Sequence, residues 1–239
     1  MAHEINNPIT SVILNTPILQ KVWTSVLPVL DEHCQKYPDF RVGAMNYTRI
    51  RERIPRLLSD IADGARRVKD IVYDLRDFAR ERPSEMSDMV DVNNVVRKSA
   101  GLVSNLIRKS TDHFSVNYAP NLPVFRGNAQ RIEQVVINLV MNACQSLSDS
   151  QHPVSVFTGY DTESASVFIE VRDEGCGIPP EVFQQIKDPF FTTRRDDGGT
   201  GLGLAISDRI IEDHGGTSEF MSAPGEGTTV RIAFPVGDE

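Results

Sequence analysis

Two stretches of this chain repeat apolar residues at alternating steps of three and four, and this period constrains the fold more than any other feature. The first spans residues 5–30 and carries Ile5, Ile9, Val12, Thr16, Leu19, Trp23, Val26 and Leu30. The second spans residues 54–79 and carries Ile54, Leu58, Ile61, Ala65, Val68, Val72, Leu75 and Ala79. This spacing predicts two helices of about 39 Å each. One hairpin cannot bury both apolar seams, so we expect two chains to form a four-helix bundle.

Pro8, Pro17 and Pro28 lie inside the first helical pattern, where each removes a backbone hydrogen-bond donor. They could divide the helix into shorter pieces. The heptad phase continues through all three, however, and therefore favours one continuous, kinked helix. The connection to the second helix is predicted over about residues 31–53, as an irregular or partly helical segment.

The rest of the chain mixes short alternating strands with helices. Asp91 or Asn93 is expected to cap a helix over about 94–109, and Asn128 to cap a helix over 129–147. A third helix starts near Gly201, and strand patterns stand between and after the helices. Strands and helices segregate, which predicts an α+β sandwich rather than a doubly wound sheet. We therefore expect a helical hairpin over 1–84 and a second domain over 85–239.

Net charge limits the partners that this chain can bind, and cysteine content indicates its compartment. The net charge is −8, which argues against non-specific binding of nucleic acid or of an anionic membrane. Three scattered cysteines without a C-x-x-C pair favour a reducing compartment, so we expect a cytoplasmic location. No apolar run approaches the roughly 20 residues that a membrane helix needs.

The segment "GGTGLGLAIS" is a candidate phosphate-binding loop. It departs from the dinucleotide fingerprint, because Leu204 stands where a third small residue belongs, and it lacks the G-K-[ST] of a P-loop. Its glycines run into a predicted helix start, where backbone N–H groups can meet phosphate oxygens. A tight loop that packs a helix onto a sheet would explain the glycines equally well.

Three further motifs carry polar residues in unusual places. Asp173 ends a predicted strand, either as a turn residue or as a buried carboxylate that accepts an exocyclic amine. Asn138 and Asn142 share one face of an apolar helix, which is costly unless a ligand such as phosphate-bound Mg²⁺ satisfies them. In "DPFFTTRRDDGGTG", the two phenylalanines could hold one end of a nucleotide lid, and Thr193 and Arg194 could reach a terminal phosphate. An ordinary surface loop with two core phenylalanines is the alternative.

The motifs in combination are far more specific than each alone. N-x-x-x-N, D-x-G-x-G, D-P-F-F-T-T, G-T-G-L-G-L and G-x-G-T follow in an order and spacing that resembles the ATP-binding domain of sensor histidine kinases. These belong to the GHKL ATPase superfamily, whose α/β sandwich is of the Bergerat type. "HEINNP" resembles the phosphoacceptor box of the same family, and the heptad hairpin resembles its dimerisation and phosphotransfer domain. The resemblance covers essentially the whole chain.

The resemblance implies that His3 is the phosphoacceptor, although a lone histidine near a chain end is ordinarily just solvated. Glu4 would hold or deprotonate the imidazole, and Asn7 would orient water for dephosphorylation of the partner. ATP and Mg²⁺ are the implied cofactors, with Asn142 as the metal ligand and Asp173 as acceptor for the adenine amine. The implied nucleotide-binding residues are Asn138, Asn142, Asp173, Gly175, Gly177, Phe190, Thr193, Arg194, Gly199, Thr200, Gly201, Leu202, Gly203 and Thr228.

The implied reaction is autophosphorylation on histidine, followed by transfer to an aspartate on the receiver domain of a response regulator. A homodimer, no nucleic acid and no membrane contact by this chain are expected. Only Met1 and Ala2 precede His3, so we expect a piece of a longer protein that could be membrane-anchored elsewhere. Two alternatives are a GHKL ATPase clamp and a nucleotide-binding or phosphatase-only scaffold. Clamp ATPases carry a water-activating glutamate where this chain has Asn138.

Overall fold

The computed structural model describes residues 2–78, 88–193 and 199–237, with side chains left undescribed at 2–5, 70, 74 and 76–78. It divides into two compact units, Met1–Ala79 and Arg80–Glu239, which we call the N-terminal and C-terminal units. The predicted domain boundary after residue 84 falls outside the described residues and stays a prediction.

The N-terminal unit is a helical hairpin. It contains α1 (Ala2–Lys36), β1 (Arg41–Val42), β2 (Met45–Asn46) and α2 (Tyr47–Phe78). Helix α1 continues through its three prolines, which confirms the prediction of one helix drawn from the unbroken heptad phase. The predicted connection over 31–53 is wrong in extent, because α1 runs on to Lys36 and α2 already begins at Tyr47.

Contacts across the end of the hairpin explain why the helices run so far. The Tyr47 hydroxyl donates to Asp31 Oδ1 at 2.5 Å, and Arg51 Nε donates to the same oxygen at 2.9 Å. The hydrogen bond from Tyr47, and then that from Arg51, hold the pKa of Asp31 below its ordinary value. The ring of His33 packs on those of Tyr37 and Phe40, with centroids 4.8 and 4.6 Å apart. Polar and aromatic contacts thus join the last turns of α1 to the first turn of α2.

The residues of the predicted heptad seams differ in exposure: some are covered within the hairpin and others are exposed. On α1, a covered face repeats at steps of four and three through Ile9, Ile13, Thr16, Gln20, Trp23, Leu27 and Leu30. One member per heptad of each predicted seam is instead exposed, by 38–54% of its surface. We call this exposed set the outer stripe: Val12, Leu19 and Val26 on α1, and Ile61, Val68 and Leu75 on α2. The hairpin alone therefore buries only part of each seam.

The C-terminal unit is an α/β sandwich, and the predicted α+β class is confirmed. Its elements are β3 (Asp88–Val90), α3 (Val92–Leu102), α4 (Ser104–Ser110), β4 (Phe114–Asn117), β5 (Phe125–Gly127), α5 (Ala129–Ser146), β6 (Val154–Asp161), β7 (Ser166–Asp173), α6 (Pro180–Phe183), α7 (Gly203–Asp213), β8 (Thr217–Ala223) and β9 (Gly227–Pro235). The main sheet has the order β4-β6-β7-β9-β8, in which β4 is parallel to β6 and the other pairs are antiparallel. Strands β3 and β5 form a separate antiparallel pair.

Of the two predicted cap candidates Asp91 and Asn93, Asp91 is the cap, and the predicted cap at Asn128 is also present. The Asp91 side chain accepts from the Asn94 backbone, and that of Asn128 accepts from the Arg131 backbone, each at 3.1 Å. The helix predicted over 94–109 is instead two helices, because the chain leaves the helical conformation at Val103. Helix α6 and strand β5 were not predicted.

Helices α3, α5 and α7 cover one face of the sheet, and the apolar core lies between the two layers. Its fully buried members include Ile132, Val135, Val154, Val156, Ile169, Ile210, Ile232 and Phe234.

On the other face of the sheet, arginine guanidinium groups cover two phenylalanine rings. Arg172 lies 4.9 Å from the Phe157 ring centroid, and Arg231 lies 3.9 Å from that of Phe168. Glu170 is 6% exposed and accepts from Arg172 Nε at 2.6 Å.

His214 joins the end of α7 to the start of α5. Its Nδ1 lies 2.6 Å from the Ile210 carbonyl oxygen and donates to it, while Nε2 accepts from the Asn128 backbone N–H at 3.0 Å. Only the neutral imidazole can do both. Burial is the largest cause that lowers the pKa of His214 below its ordinary value.

The pH dependence of the unfolding free energy should show the contribution of His214. Because the folded-state pKa lies below that of the unfolded chain, the stabilisation is complete above about pH 6.5 and declines as the pH falls below it. Urea unfolding of the wild type at about pH 7.5 and 5.5 should show a larger loss of unfolding free energy than the same comparison on His214→Gln. The control is His152→Gln, at a histidine that pairs with Asp149 on the surface. An equal loss in wild type and His214→Gln would contradict this account.

Candidate functional site

The carboxylate of Asp173 is fixed at the end of β7. It is 8% exposed, and its Oδ1 accepts from the Ser146 hydroxyl at 2.7 Å and from the Gly175 backbone at 2.9 Å. Thr228 lies directly opposite it on β9. The last residue of α5 thus orients the acid that the sequence singled out, next to a hydroxyl on the neighbouring strand.

The chain after Asp173 passes very close to neighbouring backbone. The Cys176 N–H donates to the Ser146 carbonyl at 3.0 Å, and the Gly225 N–H donates to the Cys176 carbonyl at 2.9 Å. Gly177 has φ +66°, and a Cβ there would lie 2.0 Å from the Ala223 carbonyl oxygen. A side chain at 177 would therefore separate this loop from the β8–β9 turn.

The two asparagines of α5 have different surroundings. Asn138 Nδ2 donates to Ser207 Oγ on α7 at 2.9 Å, and a Cβ on Gly203 would lie 2.5 Å from Asn138 Oδ1. Asn138 therefore helps to hold the start of α7 against α5. Asn142, one turn later, is half-buried, and its side chain makes no hydrogen bond to another described residue. Its amide oxygen is available for a ligand.

The loop just before α7 contacts an earlier part of the chain through Gly201 and Phe190. The Phe190 N–H donates to the Gly201 carbonyl at 2.9 Å, and both residues have positive φ, at +68° and +69°. A Cβ on Gly201 would lie 2.5 Å from the Phe190 carbonyl carbon. Leu202 is fully buried, and its N–H donates to the Thr200 hydroxyl at 3.3 Å. The Phe190 ring itself is 52% exposed.

The remaining predicted residues are only partly described. Thr193 and Gly199 are exposed, and Arg194 lies outside the described residues. His3 and Glu4 lie in the first turn of α1, but their side chains are also outside the described set. Asn7 is exposed one turn farther along.

Sequence reasoning missed three serines that support the site. Ser146 and Ser207 orient Asp173 and Asn138, and Ser222 Oγ accepts from the Ile178 backbone at 2.8 Å while lying 2.9 Å from Thr228 Oγ1. No local pattern distinguishes these serines from others. Cys144 is no nucleophile candidate, because burial is the main cause that raises the pKa of its thiol.

Comparisons with known proteins identify one family. Residues 127–238 match the family described as histidine kinase-, DNA gyrase B-, and HSP90-like ATPase. The sensory histidine kinase/phosphatase NtrB of Azospirillum brasilense is 30% identical, over 100% of this chain and 55% of its own length. The solved catalytic domain of the histidine kinase ThkA is 30% identical with a TM-score of 0.54, over 62% of this chain and 94% of that domain. Full-length ShkA in complex with AMPPNP shares the fold, with a TM-score of 0.72 and 20% identity, over 100% of this chain and 45% of ShkA.

The fold and the site define a GHKL-type ATP-binding domain behind a helical hairpin. The chain belongs to the sensor histidine kinase family. It spans 36%, 55% and 44% of the length of three curated relatives that it matches. Within the described residues, none of the helices combines the length and apolar character needed to cross a membrane.

Proposed function

We propose that this chain uses ATP to phosphorylate itself on His3 and passes the phosphoryl group to an aspartate on the receiver domain of a response regulator. The observation that carries the proposal is the oriented, nearly buried Asp173 carboxylate beside Thr228, in a chain that carries "HEINNP" at residues 3–8. Membership of the sensor histidine kinase family supports it.

Under this proposal, the C-terminal unit binds the nucleotide. Asp173 accepts from the adenine amine, and Thr228 stands on the adjoining strand. The Asn142 amide oxygen suits Mg²⁺, because this cation prefers oxygen ligands and keeps several of its waters. The ion neutralises phosphate charge when bound. The glycines before and inside the first turn of α7 give phosphate oxygens close access to backbone N–H groups. Thr193, Arg194 and Gly199 complete the proposed phosphate contacts.

The transfer step follows from imidazole chemistry. One ring nitrogen of neutral His3 carries a lone pair that attacks the γ-phosphorus; the N–P bond forms as the bond to the ADP oxygen breaks. ADP leaves with that electron pair, and the proton on the other ring nitrogen passes to the Glu4 carboxylate. Asn7, on the same helical face as His3, is proposed to orient water when the phosphorylated regulator is hydrolysed. We place both reactions in the cytoplasm.

The test of the proposal is incubation of the chain with γ-labelled ATP and Mg²⁺. Label on the protein that is lost in acid and kept in alkali would identify phosphohistidine. Labelling of a receiver domain added afterwards would demonstrate the second transfer. Nucleotide binding without any stable label would contradict the kinase proposal. Release of labelled phosphate alone would indicate a clamp-type ATPase, which the Asn138–Ser207 contact does not favour, since Asn138 is held in packing.

We also propose that two hairpins pair into a four-helix bundle through the outer stripe. Its six members repeat every seven residues on each helix, the spacing that a left-handed bundle buries. A charge at the centre of this stripe should therefore prevent dimerisation.

Leu19→Glu should shift the chain from dimer to monomer in light scattering. Leu19 is 54% exposed in the single hairpin, so pairing would bury about half of a side chain whose full burial contributes about 1.5–3 kcal/mol, twice over in a symmetric pair. A glutamate at this place adds the cost of burying an unpaired charge on each chain. We therefore expect a dissociation constant raised at least roughly a hundredfold. The matched control is Leu14→Glu, because Leu14 is 64% exposed and lies about 200° around α1 from Val12. Equal effects of both variants would count against the outer stripe.

A further inference from the structure

Lys187, on the turns between α6 and α7, has a polar environment that none of the sequence motifs includes. Its Nζ lies 2.7 Å from Asp208 Oδ1 on α7 and donates to Ser218 Oγ on β8 at 2.8 Å. Ser218 Oγ in turn donates to Asp208 Oδ1 at 2.7 Å. The ammonium also lies 5.5 Å from the ring centroid of Phe220. Three hydrogen-bonding groups, from the turns, α7 and β8, thus form a closed triangle.

This triangle is connected along the chain to the candidate nucleotide site. Successive turns, with Asp188 N–H bonded to the Gln185 carbonyl and Phe191 N–H to the Asp188 carbonyl, connect Lys187 to Phe190. Phe190 is bonded to Gly201, two residues before α7 begins. Asp208 belongs to the same helix, α7. Lys187 therefore ties the turns that lead to Phe190 to α7, the helix that begins two residues after Gly201.

We propose that Lys187 is a positioning residue for nucleotide binding. Its ammonium fixes the turns before Phe190 against α7 and β8, and through the Phe190–Gly201 hydrogen bond this placement sets how Gly201 and Gly203 meet the phosphates. The inference rests on the proposed nucleotide-binding function. Lys187 and Asp208 are only 38% and 23% exposed, so solvent screens the pair less than an ordinary surface ion pair. The hydrogen bonds to charged groups add directional strength.

The test measures binding of Mg²⁺–ADP to the full chain by calorimetry. Lys187→Met should weaken binding about three- to tenfold, the range expected for a part-buried, hydrogen-bonded ion pair. Lys187→Arg keeps the charge and should stay near wild type. The exchanged pair, Lys187→Asp with Asp208→Lys, should recover most of the loss. The control is Lys98→Met, which breaks the Lys98–Glu133 ion pair on α3 and α5 and should leave affinity unchanged.

A second measurement separates positioning from general stability. Hydrogen exchange without nucleotide should quicken at the Phe190 amide in Lys187→Met, because that amide is bonded to Gly201, while amides in β6 and β7 stay protected. Wild-type affinity and wild-type Phe190 exchange in Lys187→Met would overturn the proposal and leave nucleotide binding intact. A failure of the exchanged pair to recover affinity would overturn the role of the ion pair. Absence of Mg²⁺–ADP binding by the wild type itself would instead overturn the function on which the inference rests.

Discussion

His3→Gln should bind ATP as the wild type does and carry no acid-labile label at all. Glutamine has about the size of histidine but no ring nitrogen with a basic lone pair, so it cannot form the N–P bond. The proposed ATP-binding residues belong to the C-terminal unit, which the substitution leaves unchanged. The expected loss of labelling is complete, beyond about a thousandfold, because no other group replaces a missing nucleophile.

The matched control for His3→Gln is His33→Gln in the same helix. His33 packs on Tyr37 and Phe40 at the other end of α1, more than 40 Å away at about 1.5 Å per residue. This variant should lose some stability and keep its label. Acid-labile label on His3→Gln would show that another histidine is the phosphoacceptor.

Asp173→Asn should weaken ATP binding by roughly 10- to 150-fold, the equivalent of one hydrogen bond to a charged group at about 1.5–3 kcal/mol. Two donors face Oδ1: the Ser146 hydroxyl and the Gly175 N–H. They determine the orientation of the side-chain amide in Asp173→Asn. Its oxygen takes the place of Oδ1, and its NH₂ replaces the other carboxylate oxygen. The adenine amine would then meet a donor instead of an acceptor.

This geometry also predicts a change in base preference. Inosine triphosphate carries a carbonyl oxygen where ATP carries the amine, so Asp173→Asn should lose much less affinity for ITP than for ATP. Calorimetry with both nucleotides measures the ratio. Asp161→Asn is the control, because Asp161 also ends a strand but is 35% exposed and pairs with Arg231. An unchanged ATP-to-ITP ratio in Asp173→Asn would remove Asp173 from the base site.

The sequence predicts most of the elements, because their signals are local. Heptad phase carries α1 through three prolines, and the caps at Asp91 and Asn128 follow from side chains three residues from the amides that they bind. The extent of α1 and α2 goes instead with contacts between distant residues. Asp31 and Tyr47, for example, lie 16 positions apart.

The same distinction separates the predicted site residues from the missed ones. Asp173 and Asn142 are conspicuous because an acid at a strand end and an amide in an apolar helix are unusual in themselves. Ser146, Ser207 and Lys187 are ordinary residues at ordinary places. Their roles arise from partners 27, 69 and 31 positions away, which only the folded chain brings together.

The guanidinium groups over Phe157 and Phe168 have a consequence for how such a chain can be assembled during evolution. Since arginines of the sheet itself cap these rings, the outer face of the C-terminal unit presents charge rather than a continuous apolar area. A domain whose open sheet face is charged in this way can be transferred between proteins as a self-contained unit. It can be joined behind different input modules without any new layer being needed to shelter its open sheet.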